Sequence, residues 1–316
     1  MPKSNTSDPT VTPEISVVIP AYGEAANIPP LLQKLSGVLG ECTQAFEIII
    51  VDDGSVDSTW EVLKAHINKP YHLRAIRLSR NFGKENAICA GLEVAEGSGV
   101  IVMDCDLQHP PECIPKLINR WRAGDVEIVE AVKKTRSSES PAHQFGARMF
   151  YSIFGRLSDF DIQSATDFKI IDRAVLKAWR SMGERVTFFR GMIVWLGFRR
   201  EEIHFDPIER SSGQSHWSML SLCRLAINAI TSFTSIPLRF VTMMGAVSIV
   251  LTIGLGIQTL YMKFSGRALD GFTTVIICIL FVGAVIMFSL GIIGEYIAQI
   301  YDEVKLRPRY VIREVI

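Results

Sequence analysis

The chain has no excess of either charge: among its 316 residues, 33 lysines and arginines stand against 33 aspartates and glutamates. A nucleic-acid binder needs a basic face to neutralise phosphates. Basic residues gather here only in short clusters, such as Lys133, Lys134 and Arg136, or Lys305, Arg307 and Arg309, which excludes nucleic acid as a partner. Cysteine patterning is also missing. The six cysteines are scattered with no Cys-x-x-Cys pair, which points away from a zinc site or a disulfide framework. No internal repeat or low-complexity tract occurs. Residues 1–14 are polar, carry Pro9 and Pro13, and lead from no basic start into an apolar run, so they read as a disordered segment and not as a secretion signal. A dinucleotide oxidoreductase needs Gly-x-Gly-x-x-Gly after its first strand, whereas the chain has Pro20-Ala21-Tyr22-Gly23-Glu24 there.

What is present is an alternation of short apolar runs with helical patterns. Ile15–Ile19, Phe46–Val51, Ala75–Leu78, Val100–Met103 and Val126–Val132 read as strands buried on both faces. Asn27–Leu39, Ser58–Ala65 and Lys84–Val94 read as the helices between them, the second opened by a capping box from Ser58 to Glu61. This is an α/β fold with a wound sheet, and such sheets bind ligands outside the carboxyl ends of their strands. Polar residues collect at those ends: Tyr22 and Glu24, Asp52 and Asp53, Arg80 and Asn81, Asp104 and Asp106. The last pair follows a buried strand and precedes Leu107-Gln108-His109-Pro110-Pro111. Two carboxylates one residue apart at a strand end form a clamp for Mg²⁺ or Mn²⁺, with the rest of the shell left to water and substrate phosphates. A nucleotide diphosphate is the implied ligand. Cys105, between them, points away from both in an extended backbone and has no chemical role.

The second half is apolar. Phe240–Met262 and Gly271–Gly294 contain 23 and 24 residues without a charge. At about 1.5 Å per residue each makes a helix of about 35 Å, enough to span a hydrocarbon core of about 30 Å. Lys305, Arg307, Arg309 and Arg313 follow the second run, against Lys263 and Arg267 in the link, so the basic-side rule sets both flanks in the cytoplasm and the chain in the inner membrane. Ahead of the first run, Ser218, Ser221, Arg224, Asn228, Thr231 and Ser235 make a narrow polar stripe on a mostly apolar helix, which suits the membrane interface and its lipids. The expected domains are a catalytic domain over 15–216, an interfacial helix over 217–239, a two-helix hairpin over 240–294 and a cytoplasmic tail over 295–316. Ser248, Thr252 and Gly256 make a small-residue face on the first span that suits a homo-oligomer or the packing of one span on the other.

Pro20-Ala21-Tyr22-Gly23-Glu24, Val51-Asp52-Asp53-Gly54-Ser55, Arg80-Asn81-Phe82-Gly83-Lys84, Asp104-Cys105-Asp106-Leu107-Gln108 and the two apolar runs together resemble family-two glycosyltransferases of the polyprenyl-phosphate group. Gly294-Glu295-Tyr296-Ile297 followed by Arg307-Pro308-Arg309-Tyr310 resembles its bacterial two-span branch. The resemblance implies a GT-A-type mixed sheet and transfer of one sugar, glucose above others, from a UDP-sugar to polyprenyl phosphate with inversion. It implies that Pro20, Ala21, Tyr22, Glu24 and Asp53 line a uridine pocket, with Asp52 and Lys84 also on the nucleotide-sugar. Asp104 and Asp106 would hold the diphosphate through the metal, with Gln108 beside them. Asp167, in Thr166-Asp167-Phe168-Lys169, matches the acidic residue near the reacting centre, with Asp106 and Arg210 as further catalytic groups. Lys133, Arg136, Arg210 and Ser215, the last two in Arg210-Ser211-Ser212-Gly213-Gln214-Ser215, match positions for the lipid phosphate.

Gly23 departs from the family's usual Asn, which implies a lost polar contact near the nucleotide. A lipid phosphate has a second pKa of about 6 and enters largely as a dianion, so Asp167 is expected to orient groups and not to remove a proton. GDP-mannose or a modified UDP-pentose are the alternative donors. A processive synthase would need further spans and a Gln-x-x-Arg-Trp signature, and an inactive scaffold would have a broken metal clamp. Neither condition is met.

Overall fold

The apolar runs become strands because side chains on both of their faces find cover. β1 (Ile15–Ala21) is buried at every position. Its Ile15, Val17 and Ile19 join a core with Leu31, Leu32, Leu35 and Leu39 of α1 (Ile28–Cys42) and Leu117 and Ile118 of α4 (Ile114–Arg122). Val18 points to the opposite face, as the two-residue period of a strand requires. There it meets α3 (Lys84–Val94), whose Gly91 leaves no room for a side chain: a Cβ would lie 2.3 Å from Val18 Cγ1 and 3.3 Å from Val51 Cγ2.

The computed structural model describes residues 12–67, 69, 71–133, 166–184, 188–205, 236–266 and 272–316. β2 (Phe46–Asp52), β3 (Leu73–Leu78), β4 (Gly99–Val102) and β5 (Ile128–Lys133) follow the expected runs to within a few residues. The helix α2 (Thr59–His66) precedes β3, and α3 begins and ends where the pattern sets it. Three further strands, β6 (Lys169–Asp172), β7 (Arg200–Phe205) and β8 (Ile312–Val315), complete an eight-stranded sheet in the order β7-β5-β6-β4-β1-β2-β3-β8. The pairs β1–β2, β1–β4, β2–β3 and β5–β7 are parallel; β4–β6, β5–β6 and β3–β8 are antiparallel. The short helices α5 (Arg173–Ser181) and α6 (Phe189–Trp195) lie between β6 and β7. A wound α/β sheet of mixed direction is therefore the architecture, as the resemblance implied.

Two local readings change. Ser58 does not cap α2 with its side chain. Asp57 instead accepts from Thr59 N at 3.1 Å and from Thr59 Oγ1 at 2.6 Å. The Asp57 carboxylate takes the first N–H of the helix, where negative charge is favoured. The expected tail over 295–316 also gives way. The helix that contains the second apolar run continues to Val304, and residues 312–315 pair with β3.

The described residues from 12 to 205 and from 308 to 316 form one unit, and those from 236 to 307 a second. In the second, α7 (Ile236–Phe264) and α8 (Phe272–Val304) contact one another, and each holds a stretch long and apolar enough to cross a membrane. Threonine hydroxyls of α7 bond inside the helix: Thr252 donates to Ser248 O and Thr259 to Leu255 O, both at 2.8 Å. A hydroxyl bonded in this way adds little cost to burial in lipid. The expected interfacial helix over 217–235 lies outside the described residues.

The close seat of α3 gives a direct test. Gly91→Leu should destabilise the catalytic unit by about 1–3 kcal/mol, since the added side chain must push Val18 or lift the helix. Denaturant unfolding of the full chain measures the change. Wild-type stability would mean that α3 does not rest on β1 as described.

Candidate active site

The strand ends expected to carry the chemistry do meet. β1 and β2 deliver the first group. Asp53 N donates to Ala21 O at 2.9 Å, and the Asp53 carboxylate accepts from Phe82 N at 2.7 Å and Gly83 N at 2.8 Å. Burial raises the Asp53 pKa in spite of these two bonds. Gly54, with φ of +67°, sits so close to the Arg80 backbone that a Cβ would come within 2.4 Å of Arg80 C, so the two loops touch only because residue 54 is glycine. Gly23 also has a left-handed φ, of +70°, with open space where a side chain would stand. Asn and Gly are the residues that tolerate that backbone, so the departure at position 23 costs a side chain and not the shape of the turn. Gly23 N donates to Ser55 Oγ and Glu24 N to Thr59 Oγ1, each at 3.0 Å.

Asp52 is a correction. It follows the alternation of the strand and faces the other way from Asp53. Fully buried, it accepts from Ser55 N at 2.9 Å and lies 3.4 Å from Arg77 Nε, so it holds the turn and the sheet edge and cannot reach a nucleotide. Pro20 and Ala21 are buried in the strand, whereas the Tyr22 ring is 49% exposed.

β4 ends at the acidic pair. Gln108 N donates to Asp106 Oδ1 at 3.1 Å, closing a turn that passes through Leu107 at φ of +59°. Asp104 N donates to His109 Nδ1 at 3.1 Å, and the His109 ring stacks on Phe168 with centroids 4.9 Å apart. Burial pushes the His109 pKa down, which keeps that nitrogen an acceptor. Phe168 is the neighbour of Asp167, so His109 ties the acidic loop to the segment entering β6.

The centre of the site is Asp167. Its side chain is 4% exposed and holds two cations. Lys84 Nζ lies 2.7 Å from Asp167 Oδ2 and 2.6 Å from Asp104 Oδ1. Arg190 grips both oxygens, Nε to Oδ1 and a terminal nitrogen to Oδ2, each at 2.7 Å. Lys84 and Arg190 are 39% and 37% exposed as side chains, so the carboxylate is the most deeply buried member of the cluster. Burial alone would raise the Asp167 pKa, but Arg190 and Lys84 outweigh it and hold the carboxyl well below its ordinary range. Burial likewise disfavours the charge of Lys84, and Asp167 and Asp104 reverse this, so it stays protonated. An anion committed to two cations is a poor proton acceptor and a good anchor. Beside it, Lys169 and Glu130 form a fully buried ion pair that joins β6 to β5.

The donor set suits a hard divalent ion. Asp104 and Asp106 offer carboxylate oxygens, and Glu24 stands near enough that its pKa, raised by burial, is raised further by Asp106 and Asp104. Negative groups crowded in this way gain from a bound cation. Among the described residues no three side chains form a metal cage, so the remaining shell falls to water and substrate, as Mg²⁺ accepts.

The structure brings together Glu24, Asp53, Lys84, Asp104, Asp106 and Asp167. Lys84 is placed on two carboxylates, where sequence motifs gave it only a nucleotide-sugar. Lys133 ends β5, but its side chain, like Arg136, Arg210 and Ser215, lies outside the described residues. Arg190 and His109 are site residues that sequence reasoning missed. His109 had a signal, three residues beyond Asp106; Arg190 had none, being 23 positions from its partner.

Residues 16–179 match glycosyl transferase family 2, and residues 236–300 match the GtrB C-terminal hairpin. An uncharacterised glycosyltransferase of Synechocystis sp. is 38% identical over 308 residues, 96% of each chain. The prophage bactoprenol glucosyl transferase homolog of Escherichia coli strain K12 is 33% identical over 305 residues, 96% of this chain and 99% of that one. Glucosyl-3-phosphoglycerate synthase of Mycobacterium tuberculosis, solved with Mn²⁺ and uridine-diphosphate-glucose, is 18% identical and covers 69% of this chain and 77% of its own, with a TM-score of 0.48. With its catalytic unit and its apolar hairpin both matched, the chain belongs to glycosyl transferase family 2 and is a glycosyltransferase.

Proposed function

We propose that this glycosyltransferase moves one glucosyl residue from UDP-glucose to a polyprenyl phosphate, with inversion at the anomeric carbon, at the cytoplasmic face of the inner membrane. The observation that carries the reading is the cationic pair Lys84 and Arg190, fixed on the buried Asp167 beside Asp104. Sugar transfer between two phosphates gathers negative charge on both sides of the reacting carbon, and a fixed positive pair answers it. The near full-length likeness to a bactoprenol glucosyl transferase homolog supports glucose and a lipid phosphate as the reactants. The two apolar helices support a membrane location.

In this reading Tyr22, Glu24 and Asp53 receive the uridine, with the Asp53 carboxylate fixed by Phe82 and Gly83 and the exposed Tyr22 ring offering a stacking face. Pro20 and Ala21 contribute the strand edge beneath. Asp104 and Asp106, with Gln108 beside them, would hold Mg²⁺ or Mn²⁺, which when bound would supply positive charge to the leaving diphosphate. A phosphate oxygen of the lipid attacks the anomeric carbon from the face opposite the leaving group. The new C–O bond forms as the bond to the β-phosphate oxygen breaks. The dianion brings its own nucleophile, so Asp167 holds Lys84 and Arg190 in place without taking a proton. Lys133, Arg136, Arg210 and Ser215 are the proposed lipid-phosphate contacts, with Asp106 and Arg210 nearest the chemistry.

Membranes carrying the chain, given polyprenyl phosphate and a panel of labelled nucleotide sugars, should pass label from UDP-glucose into the lipid phase as a single sugar. Label from GDP-mannose or a UDP-pentose instead would replace the donor, a polymer would make the chain a processive synthase, and no transfer with any donor would favour a scaffold. Asp106→Ala should lower turnover by about a hundredfold or more, since a missing charge partner at a leaving phosphate costs several kcal/mol. A chelator should abolish transfer, with Mg²⁺ or Mn²⁺ restoring it; undiminished transfer after chelation would remove the metal from the reaction.

The role of Asp167 separates by pH. Asp167→Asn keeps the shape but removes the fixed charge and turns one of two acceptor oxygens into an NH2 that cannot accept from Arg190 or Lys84, so turnover should fall by about ten- to a hundredfold. The acid limb should stay near the second pKa of the lipid phosphate, about 6, in both proteins. Complete loss of turnover with both substrates still bound, unrelieved at higher pH, would make Asp167 an essential base.

A further inference from the structure

Four consecutive residues at the start of α3 tie together three parts of the site. The N–H groups of Phe82 and Gly83 hold Asp53, and Lys84 joins Asp104 to Asp167. The fourth, Glu85, has no part in the reaction described above. Its Oε2 accepts from Phe189 N at 2.7 Å, and Phe189 is the first residue of α6 and the neighbour of Arg190.

That bond falls where α6 needs it. The helix has seven residues and no side-chain cap of its own, so its opening N–H groups depend on partners from elsewhere. Phe189 is itself buried, with its ring edge-on to Trp179 at 5.3 Å, which locks the residue that Glu85 holds. The next side chain is the guanidinium that grips Asp167. We infer that Glu85 is a positioning residue for glycosyl transfer: by fixing the Phe189 N–H it sets where α6 begins and delivers Arg190 to Asp167.

The electrostatics agree. Burial, with the Asp167 carboxylate nearby, pushes the Glu85 pKa up to about 7, so the fold keeps a carboxyl where its charge is disfavoured. An apolar residue of similar size would relieve that cost and lose the bond to Phe189.

The inference rests on the proposed transfer reaction for its rate assay, and its test has a second arm that does not. Glu85→Met removes the acceptor with little change of volume, and Glu85→Gln keeps it as an amide oxygen. In the full chain, Glu85→Met should lower kcat by about tenfold or more, since the bond it removes is to an ionisable partner, while KM for the nucleotide sugar changes far less. Glu85→Gln should restore most of the lost rate. Because Glu85 acts through Arg190, the double variant Glu85→Met/Arg190→Ala should be no slower than Arg190→Ala alone. Full additivity, or wild-type kcat in Glu85→Met, overturns the inference. Hydrogen exchange at the Phe189 amide reads the anchor without catalysis: exchange should be faster in Glu85→Met than in wild type and slowed again in Glu85→Gln. Equal exchange in all three overturns the anchor even if the chain transfers no glucose, whereas absent transfer with the expected exchange pattern defeats only the proposed reaction.

Discussion

A buried carboxylate holding two half-exposed cations is the constraint on which the site depends. Asp167 cannot stay ionised beneath the surface without Lys84 and Arg190, and they cannot keep their directions without Asp167. The three residues arrive from different elements: the start of α3, the segment before β6, and α6. Forming the cluster therefore requires that all three elements be seated, so assembly of the fold and assembly of the charge pattern are one event. Pairs of this kind are costly to bury and costlier still to break. They specify an arrangement more than they add stability.

The architecture around the cluster follows from simple rules. Parallel strands covered on both faces put their ends at one edge of the sheet, and the residues that stop being apolar there become the site. The antiparallel strand β6 runs against β4 and brings its entry, with Asp167 before it, to the carboxyl end of β4, where Asp104 and Asp106 sit. A parallel β6 would have carried Asp167 to the opposite edge. The mixed direction of the sheet is thus a condition for the chemistry.

Much of this was legible in the residues. Runs such as Ile48-Ile49-Ile50-Val51 admit few readings other than a strand covered on both faces, and the acidic residues beyond them fell where the ligand edge is. The later strands were not legible. β7, Arg-Glu-Glu-Ile-His-Phe, carries charge because it is half-exposed at the sheet edge, and β8, Ile-Arg-Glu-Val, is an exposed edge strand at the other side. Lys169 opens β6 fully buried, which no rule of hydropathy anticipates until Glu130 is seen beside it. Asp52 shows the reverse case. Two adjacent aspartates look like one acidic motif, yet a strand sends neighbours to opposite faces, and that alternation alone would have separated them. Arg190 was hidden for another reason: its partner is set by how two segments fold back, a distance the local pattern does not encode.

The pairing of β8 with β3 has a consequence for the order in which the protein is made. The sheet is closed at that side by residues that follow the apolar hairpin in the chain, so the catalytic unit is interrupted in sequence by the segment suited to the bilayer. While the ribosome is still producing α7 and α8, β3 has an open edge with unsatisfied backbone groups, and Trp60 lacks Glu314, which later accepts its indole N–H at 3.1 Å. Open edges invite pairing with other chains. Closure of the sheet comes only after both apolar helices have been synthesised, so the enzyme acquires its finished edge after the two segments long and apolar enough to cross a membrane have left the ribosome.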